Sequence, residues 1–135
     1  VARLEGSLLD NLPDFDLEEL VISYIQVKYD YYVLSNSIAS KSTTIKVECE
    51  FLSREPKRVR KAVVQVKGRK AEALDALQFA DFTQNGYEVF LFAPEVLNAD
   101  KVDNIVVITP NELIDFYENY KVILPDSITQ WENLY

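Results

Sequence analysis

Glu48, Glu50, Gln65 and Lys67 are the residues of this chain whose types and spacing could do chemistry. The two glutamates alternate along "KVECEF", and the other two residues alternate along "VVQVK". Alternate residues of a β-strand share one face, so two such strands side by side would bring the four side chains together. Carboxylates, an amide oxygen and a backbone carbonyl, here that of Val66, suit a hard cation. We therefore predict a Mg²⁺ (or Mn²⁺) site that activates water, with Lys67 stabilising the developing negative charge.

Lys67 is the member of this group that a purely structural role explains least well. It follows Val63, Val64 and Val66, and an unpaired ammonium group in such a buried strand would be costly. The alternative is that Glu48 and Glu50 form cross-strand ion pairs with lysines, each stabilising the sheet by about 0.2–1 kcal/mol.

The composition excludes several other chemistries. The chain has 135 residues, no histidine and one cysteine, Cys49. Catalytic Ser-His-Asp and Cys-His groups and histidine-containing zinc sites are therefore excluded, and no intrachain disulfide can form. We expect a reducing, cytoplasmic location. No apolar run reaches the roughly 18 residues of a membrane helix, so no membrane partner is expected.

The charge of the chain is unevenly distributed. The net charge is −8, yet residues 54–70 hold 8 of the 14 basic residues and one acidic residue, a local +7 against −15 elsewhere. A solvated hairpin tip is one interpretation. The other is a local phosphate-facing patch on an otherwise acidic body. The candidate phosphate-binding residues are Arg58, Arg60, Lys61, Arg69 and Lys70.

The first half of the chain predicts one helix and three strands. After an irregular lead-in over residues 1–15, the helix starts near Leu17, with Asp16 as N-cap and Glu19 in capping-box spacing. Its buried stripe is bordered by Glu18, whereas Glu19 faces water. The stripe comprises Leu17, Leu20, Val21, Tyr24 and Ile25. Strands follow over "YYVLSNS", "TTIKVECEFLS" and Ala62 to Val66.

The second half predicts a helix, two buried strands and a last helix. Residues 71–84 should be helical and stop at Asn85-Gly86. "YEVFLFA" and "NIVVIT" are apolar on both faces, as in central strands. Thr109, Pro110 and Glu112 mark a helix start. "KVILP" adds an edge strand or a loop. The order α-β-β-β-α-β-β-α indicates a mixed α/β sandwich.

This order and these motifs resemble the PD-(D/E)XK nuclease superfamily. Its core is α-β-β-β-α-β, with an acid on the second strand and acid-x-Lys on the third. "QVK" looks like the Gln-x-Lys variant of Mrr-like restriction endonucleases, and Glu48 or Glu50 stands where the strand-two acid is expected. "DLEELV" is similar to the family's F-E-x-L-V helix pattern and aligns Glu18 with its glutamate. The resemblance covers roughly residues 16–93.

The resemblance implies a fold and an activity. The fold is a restriction-endonuclease-like three-layer sandwich with a mixed central sheet. The activity is that of a Mg²⁺-dependent endodeoxyribonuclease, a module of a restriction or repair enzyme with further domains in its parent chain. The alternative is a catalytically degenerate member that binds nucleic acid or protein, since Gln replaces an acid at position 65. A homodimer is left open.

We expect the chain to consist of one folded domain and a short segment that follows it. Residues 1–131 are expected to form one domain. "ENLY" at 132–135 resembles the start of a protease-cleavage tag and is set aside as a tag remnant.

Overall fold

The mixed α/β architecture predicted from the sequence is confirmed by a computed structural model, which describes Leu9 and residues 12–36, 49–53, 60–68 and 73–120. The described helices are α1 (Asp14–Tyr29), α2 (Ala80–Gln84) and α3 (Pro110–Tyr120). Two 3₁₀ helices span Ala76–Phe79 and Ala99–Lys101. The described strands are β1 (Tyr31–Asn36), β2 (Cys49–Ser53), β3 (Lys61–Val66), β4 (Leu74–Asp75), β5 (Tyr87–Phe92), β6 (Val96–Leu97) and β7 (Ile105–Val107).

Five of these strands form one sheet in the order β1-β2-β3-β5-β7. The first three strands pair antiparallel, as the hairpin-rich first half of the sequence predicts. β5 then runs parallel to β3, and β7 runs parallel to β5. The chain from β3 to β5 is long enough for the crossover connection that a parallel pair requires.

The sheet is covered on both sides by apolar clusters, because neighbouring residues of its central strands point in opposite directions. On the side that we call face A, Val64 and Phe90 pack in one cluster with α1 and α3. On the opposite side, face B, Val63 and Val89 pack in a second cluster with the 3₁₀ helix Ala76–Phe79. The two-sided burial predicted for "YEVFLF" is confirmed.

Helix α1 confirms the predicted buried stripe but begins earlier than expected. All five stripe residues from Leu17 to Ile25 are buried. The prediction that Asp16 caps the helix is wrong: Pro13 is the N-cap, and the Leu17 amide donates to the Pro13 carbonyl at 3.0 Å. Leu9 and Leu12, placed in the irregular lead-in, are buried in the face-A cluster. Packing of these residues favours an earlier helix start, which leaves Asp16 buried inside the first turn.

The predicted helix over residues 71–84 is wrong in its first half. Leu74 and Asp75 form β4, which pairs parallel with β6, and the α-helix proper begins only at Ala80. The Asp75 carboxylate accepts hydrogen bonds from the Asn98 amide and the Leu77 backbone N–H, both at 3.0 Å. These bonds, the Asn98 bond foremost, hold the pKa of Asp75 below its ordinary value. An aspartate that caps here starts helical structure after itself.

The predicted start of the last helix is confirmed. α3 begins at Pro110, and the Glu112 amide donates to the Thr109 hydroxyl at 3.3 Å. Glu112 also joins this helix to α1, because it accepts a 2.7 Å hydrogen bond from the Tyr24 hydroxyl. Burial, reinforced by Glu112, raises the pKa of Tyr24 well above its ordinary value. Burial and the same carboxylate raise the pKa of Tyr29.

Tyr24→Phe should lower the free energy of unfolding by about 1–2 kcal/mol, because it removes a partly buried hydrogen bond to a carboxylate. A raised folded-state pKa means that this contribution is complete below about pH 10, where unfolded tyrosine ionises, and is lost as the pH rises through the folded pKa. Urea unfolding at neutral and alkaline pH measures both effects. Tyr120→Phe, at an exposed position, is the control. Equal stability of Tyr24→Phe and the wild type at neutral pH would contradict the prediction.

Two predicted segments lie outside the described residues: the possible edge strand at 121–125 and the tag remnant at 132–135. Within the described part of the chain, none of the helices combines the length and the apolar character needed to cross a bilayer.

Candidate functional site

Strands β2 and β3 are neighbours, as the proposed constellation of Glu48, Glu50, Gln65 and Lys67 requires. Glu50 pairs with Val63 across the two strands. Residues in direct register share a face, so position 50 lies on face B with Val63 and Gln65. The structure describes Glu50 in its backbone only, and Glu48 lies outside the described residues.

Gln65 and Lys67 have different surroundings although they lie two residues apart. Gln65 is 5% exposed and pairs in register with Leu91 of β5. Lys67 lies one residue beyond β3 and is exposed; its backbone N–H donates to the Phe92 carbonyl at 2.8 Å. The expectation that the Lys67 ammonium is buried in the strand is therefore wrong. Its side chain is exposed at the carboxyl end of β3.

The strand register shows how far position 50 lies from Gln65 and from Lys67. Position 50 is the diagonal neighbour of Gln65, with Cβ atoms about 7–8 Å apart in such pairs. Lys67 is four residue steps beyond Val63, or roughly 13 Å along the strand. Position 50 therefore lies nearer to Gln65 than to Lys67. Of the candidate acids, Glu48 and those in the first turn of α1 remain candidates for a carboxylate near the Lys67 ammonium.

The first turn of α1 lies at the same end of β3. The Asp14 carboxylate packs against Gly68, so closely that a Cβ atom at Gly68 would lie 3.1 Å from Asp14 Oδ1. Asp16 is buried, and Glu18 is half-buried beside the stripe as predicted. Glu19, which was predicted to face water, is half-buried as well. Asp14 was missed by the sequence reasoning. The available signal was its place directly after Pro13, at the start of the helix.

Of the candidate phosphate-binding residues, the two that the structure describes, Arg60 and Lys61, lie at the opposite end of β3 from Lys67. The Arg60 guanidinium lies 5.6 Å from the centre of the Tyr31 ring, and the Lys61 ammonium lies 6.0 Å from that of Tyr87. Six residue steps of about 3.3 Å, roughly 20 Å, separate Lys61 from Lys67. A continuous basic segment in the sequence is therefore divided between two ends of the sheet. Arg58, Arg69 and Lys70 lie outside the described residues.

The described residues alone do not complete a site for Mg²⁺. Within the part of the chain that the structure describes, no three His, Cys, Asp or Glu side chains converge on one point. The described donors are the Gln65 amide and the Val66 carbonyl, which are neutral, whereas divalent cations usually bind one or two carboxylates. The carboxylates that the site needs would be those of Glu48 and Glu50.

The candidate site therefore comprises the Gln-x-Lys motif, the acids of strand two and the start of α1. It is defined by residue type, register and burial. No family model, curated protein or solved structure matches the chain.

Proposed function

We propose that this chain is a metal-dependent nuclease domain that hydrolyses DNA phosphodiester bonds, built on a restriction-endonuclease-like fold. The observation that carries the proposal is the placement of Gln65 beside position 50 on neighbouring strands, with Lys67 at the end of the same strand. The order of the sheet supports it, because three antiparallel strands precede a parallel crossover after a long first helix, as the family resemblance implies.

Each residue of the proposed site has a stated role. Glu48, Glu50, the Gln65 amide oxygen and the Val66 carbonyl would hold Mg²⁺ or Mn²⁺, which supplies an activated water and charge neutralisation when bound. Lys67, solvated and cationic, would stabilise the charge that develops on the phosphate. Glu18 lies on α1, which packs on face A, so it would have to reach the metal past the carboxyl end of β3, because Gln65 lies on face B. Asp14 joins these candidates because it packs against Gly68, directly after the motif.

The position of the basic residues limits how DNA would contact the domain. Arg69 and Lys70 follow the motif in sequence and are the candidates for phosphates next to the scissile bond. Arg60 and Lys61 would contact a different part of the nucleic acid, because they lie at the other end of β3. Arg58, in the preceding connection, belongs with them in sequence.

A second candidate function is a non-catalytic domain of the same fold that binds nucleic acid or protein. The burial of Gln65 favours it, because burying a neutral amide costs much less than burying a carboxylate and needs no metal ion to compensate a charge. The neutrality of the described donors favours it too.

Cleavage of supercoiled plasmid in Mg²⁺, in Mn²⁺ and in EDTA tests the proposal. The nuclease function predicts nicked or linear products in one or both metals and none in EDTA. Intact plasmid in both metals, with a folded protein, would leave the non-catalytic function.

A further inference from the structure

Face B carries a row of four side chains, two exposed and two half-buried, across the end of the sheet opposite the Gln-x-Lys motif. Tyr32 of β1 pairs with Leu52 of β2, Leu52 pairs with Lys61 of β3, and Lys61 pairs with Tyr87 of β5. Direct register places these four residues on one face, in a line three strand spacings, or about 14 Å, long. We call them the cross-strand row.

The row is more open than the rest of face B. The face-B apolar cluster uses strand residues of β3, β5 and β7, such as Val63, Val89 and Ile105, and Tyr87 at one end of the row also packs against it. At the row, by contrast, Tyr32 is 55% exposed and Lys61 is also exposed. An aromatic ring and an ammonium group therefore stand together on a sheet surface.

The chemistry of the row suits an unpaired nucleic acid strand. We propose that Tyr32 stacks on an unpaired base and that Leu52 makes an apolar contact with the same nucleotide, while Lys61 neutralises an adjacent phosphate. Sheet faces with exposed aromatic residues bind splayed bases in this way, whereas the bases of a duplex are already stacked on each other. The Tyr87 ring, 6.0 Å from the ammonium, orients Lys61.

Charge complementarity identifies a polyanion as the occupant. Residues 54–61, which connect β2 to the start of β3, contain five basic residues and one acidic residue, a net +4 in a chain whose total is −8. An acidic body with a local positive end attracts a phosphate backbone at that end and repels it elsewhere. A second copy of this chain would bring a large negative charge of its own.

This inference rests on the proposed function and deepens it, since it names an unpaired strand as the form of nucleic acid that the domain holds. Its test is separate because binding needs no metal. The affinity of labelled oligothymidylate is measured by fluorescence anisotropy in EDTA, beside oligouridylate and a duplex of the same length. Wild-type protein should prefer a single strand to the duplex, and the DNA and RNA arms identify the sugar.

Tyr32→Ala should weaken oligothymidylate binding about five- to 150-fold, the range expected for loss of one base–aromatic stack, and Tyr32→Phe should not. Lys61→Gln should lower the slope of log affinity against log salt by about 0.7. Tyr120→Ala is the matched control, because Tyr120 is 42% exposed on α3, which packs on face A. Circular dichroism checks that each variant is folded.

Three outcomes would overturn the inference: no binding of single strands by the wild type, equal losses in Tyr32→Ala and Tyr120→Ala, or a Tyr32-dependent dimer that binds no oligonucleotide. If instead Tyr32→Ala abolishes binding while the wild type cleaves no plasmid in Mg²⁺ or Mn²⁺, the single-strand site stands and the nuclease function falls.

Discussion

Lys67→Ala is expected to reduce plasmid cleavage by at least about 100-fold in Mg²⁺ while leaving the fold unchanged. Groups that stabilise charge or transfer protons in a transition state typically contribute factors of 10²–10⁴. The Lys67 side chain is exposed, so its removal should change the free energy of unfolding by no more than about 0.5 kcal/mol. Initial cleavage rates and urea unfolding of the same preparations measure the two quantities.

The matched control is Lys28→Ala, which removes an equally solvated ammonium group. Lys28 is in the last turn of α1, about 21 Å along the helix from Asp14 and hence from the proposed site. The Lys28→Ala variant should cleave plasmid at the rate of the wild type. Undiminished cleavage by Lys67→Ala would remove Lys67 from the mechanism, and equal losses in both variants would point to a general electrostatic effect.

Local patterns in the sequence predicted those parts of the fold that local chemistry determines. The apolar stripe of α1 needs only helical periodicity, and the start of α3 needs only Thr109, Pro110 and Glu112. β5 reads as central because it is apolar on both faces, and each face packs in a different cluster. In these segments tertiary packing and local preference agree.

The errors arose where distant residues decide the structure. β4 exists because Leu74 pairs with Val96, some twenty residues later, and a window over residues 71–84 contains only the helical pattern. The start of α1 depends on Leu9 and Leu12 joining the core, whereas Asp16 carries the stronger local capping signal. Neither contact can be inferred from periodicity.

The candidate site was predictable in residue type and sheet face but not in position along the strands. Alternation gave the face that Gln65 shares with position 50. It could not give the register, which places position 50 near Gln65 and away from Lys67. Composition likewise gave one basic segment, although the length of β3 sets Lys61 roughly 20 Å from Lys67, and Arg60 one residue farther.

Gln65→Glu should distinguish a working metal site from one that has lost its function. The substitution restores the acid of the family motif at a position that is 5% exposed. Burial disfavours the charged form of the introduced carboxyl, as would a glutamate at the diagonal position 50, so its pKa should rise. Below about pH 4.3 the introduced carboxyl is neutral in both the folded and the unfolded state, so the variant should be nearly as stable as the wild type. The variant should then lose about 2–4 kcal/mol as the pH rises to 8.

The change in the stability of Gln65→Glu on addition of metal distinguishes a working metal site from a lost one. If Glu48 and Glu50 lie beside position 65, Mg²⁺ or Mn²⁺ at pH 8 should restore much of the lost stability, because a cation that binds only the folded state stabilises it by mass action. Cleavage should rise above that of the wild type. Gln65→Met is the control, because it keeps the volume without adding charge and should be indifferent to metal. Destabilisation of Gln65→Glu that no metal relieves would show that the strand-two acids do not meet position 65, and the Gln-x-Lys motif would then be a structural feature of β3.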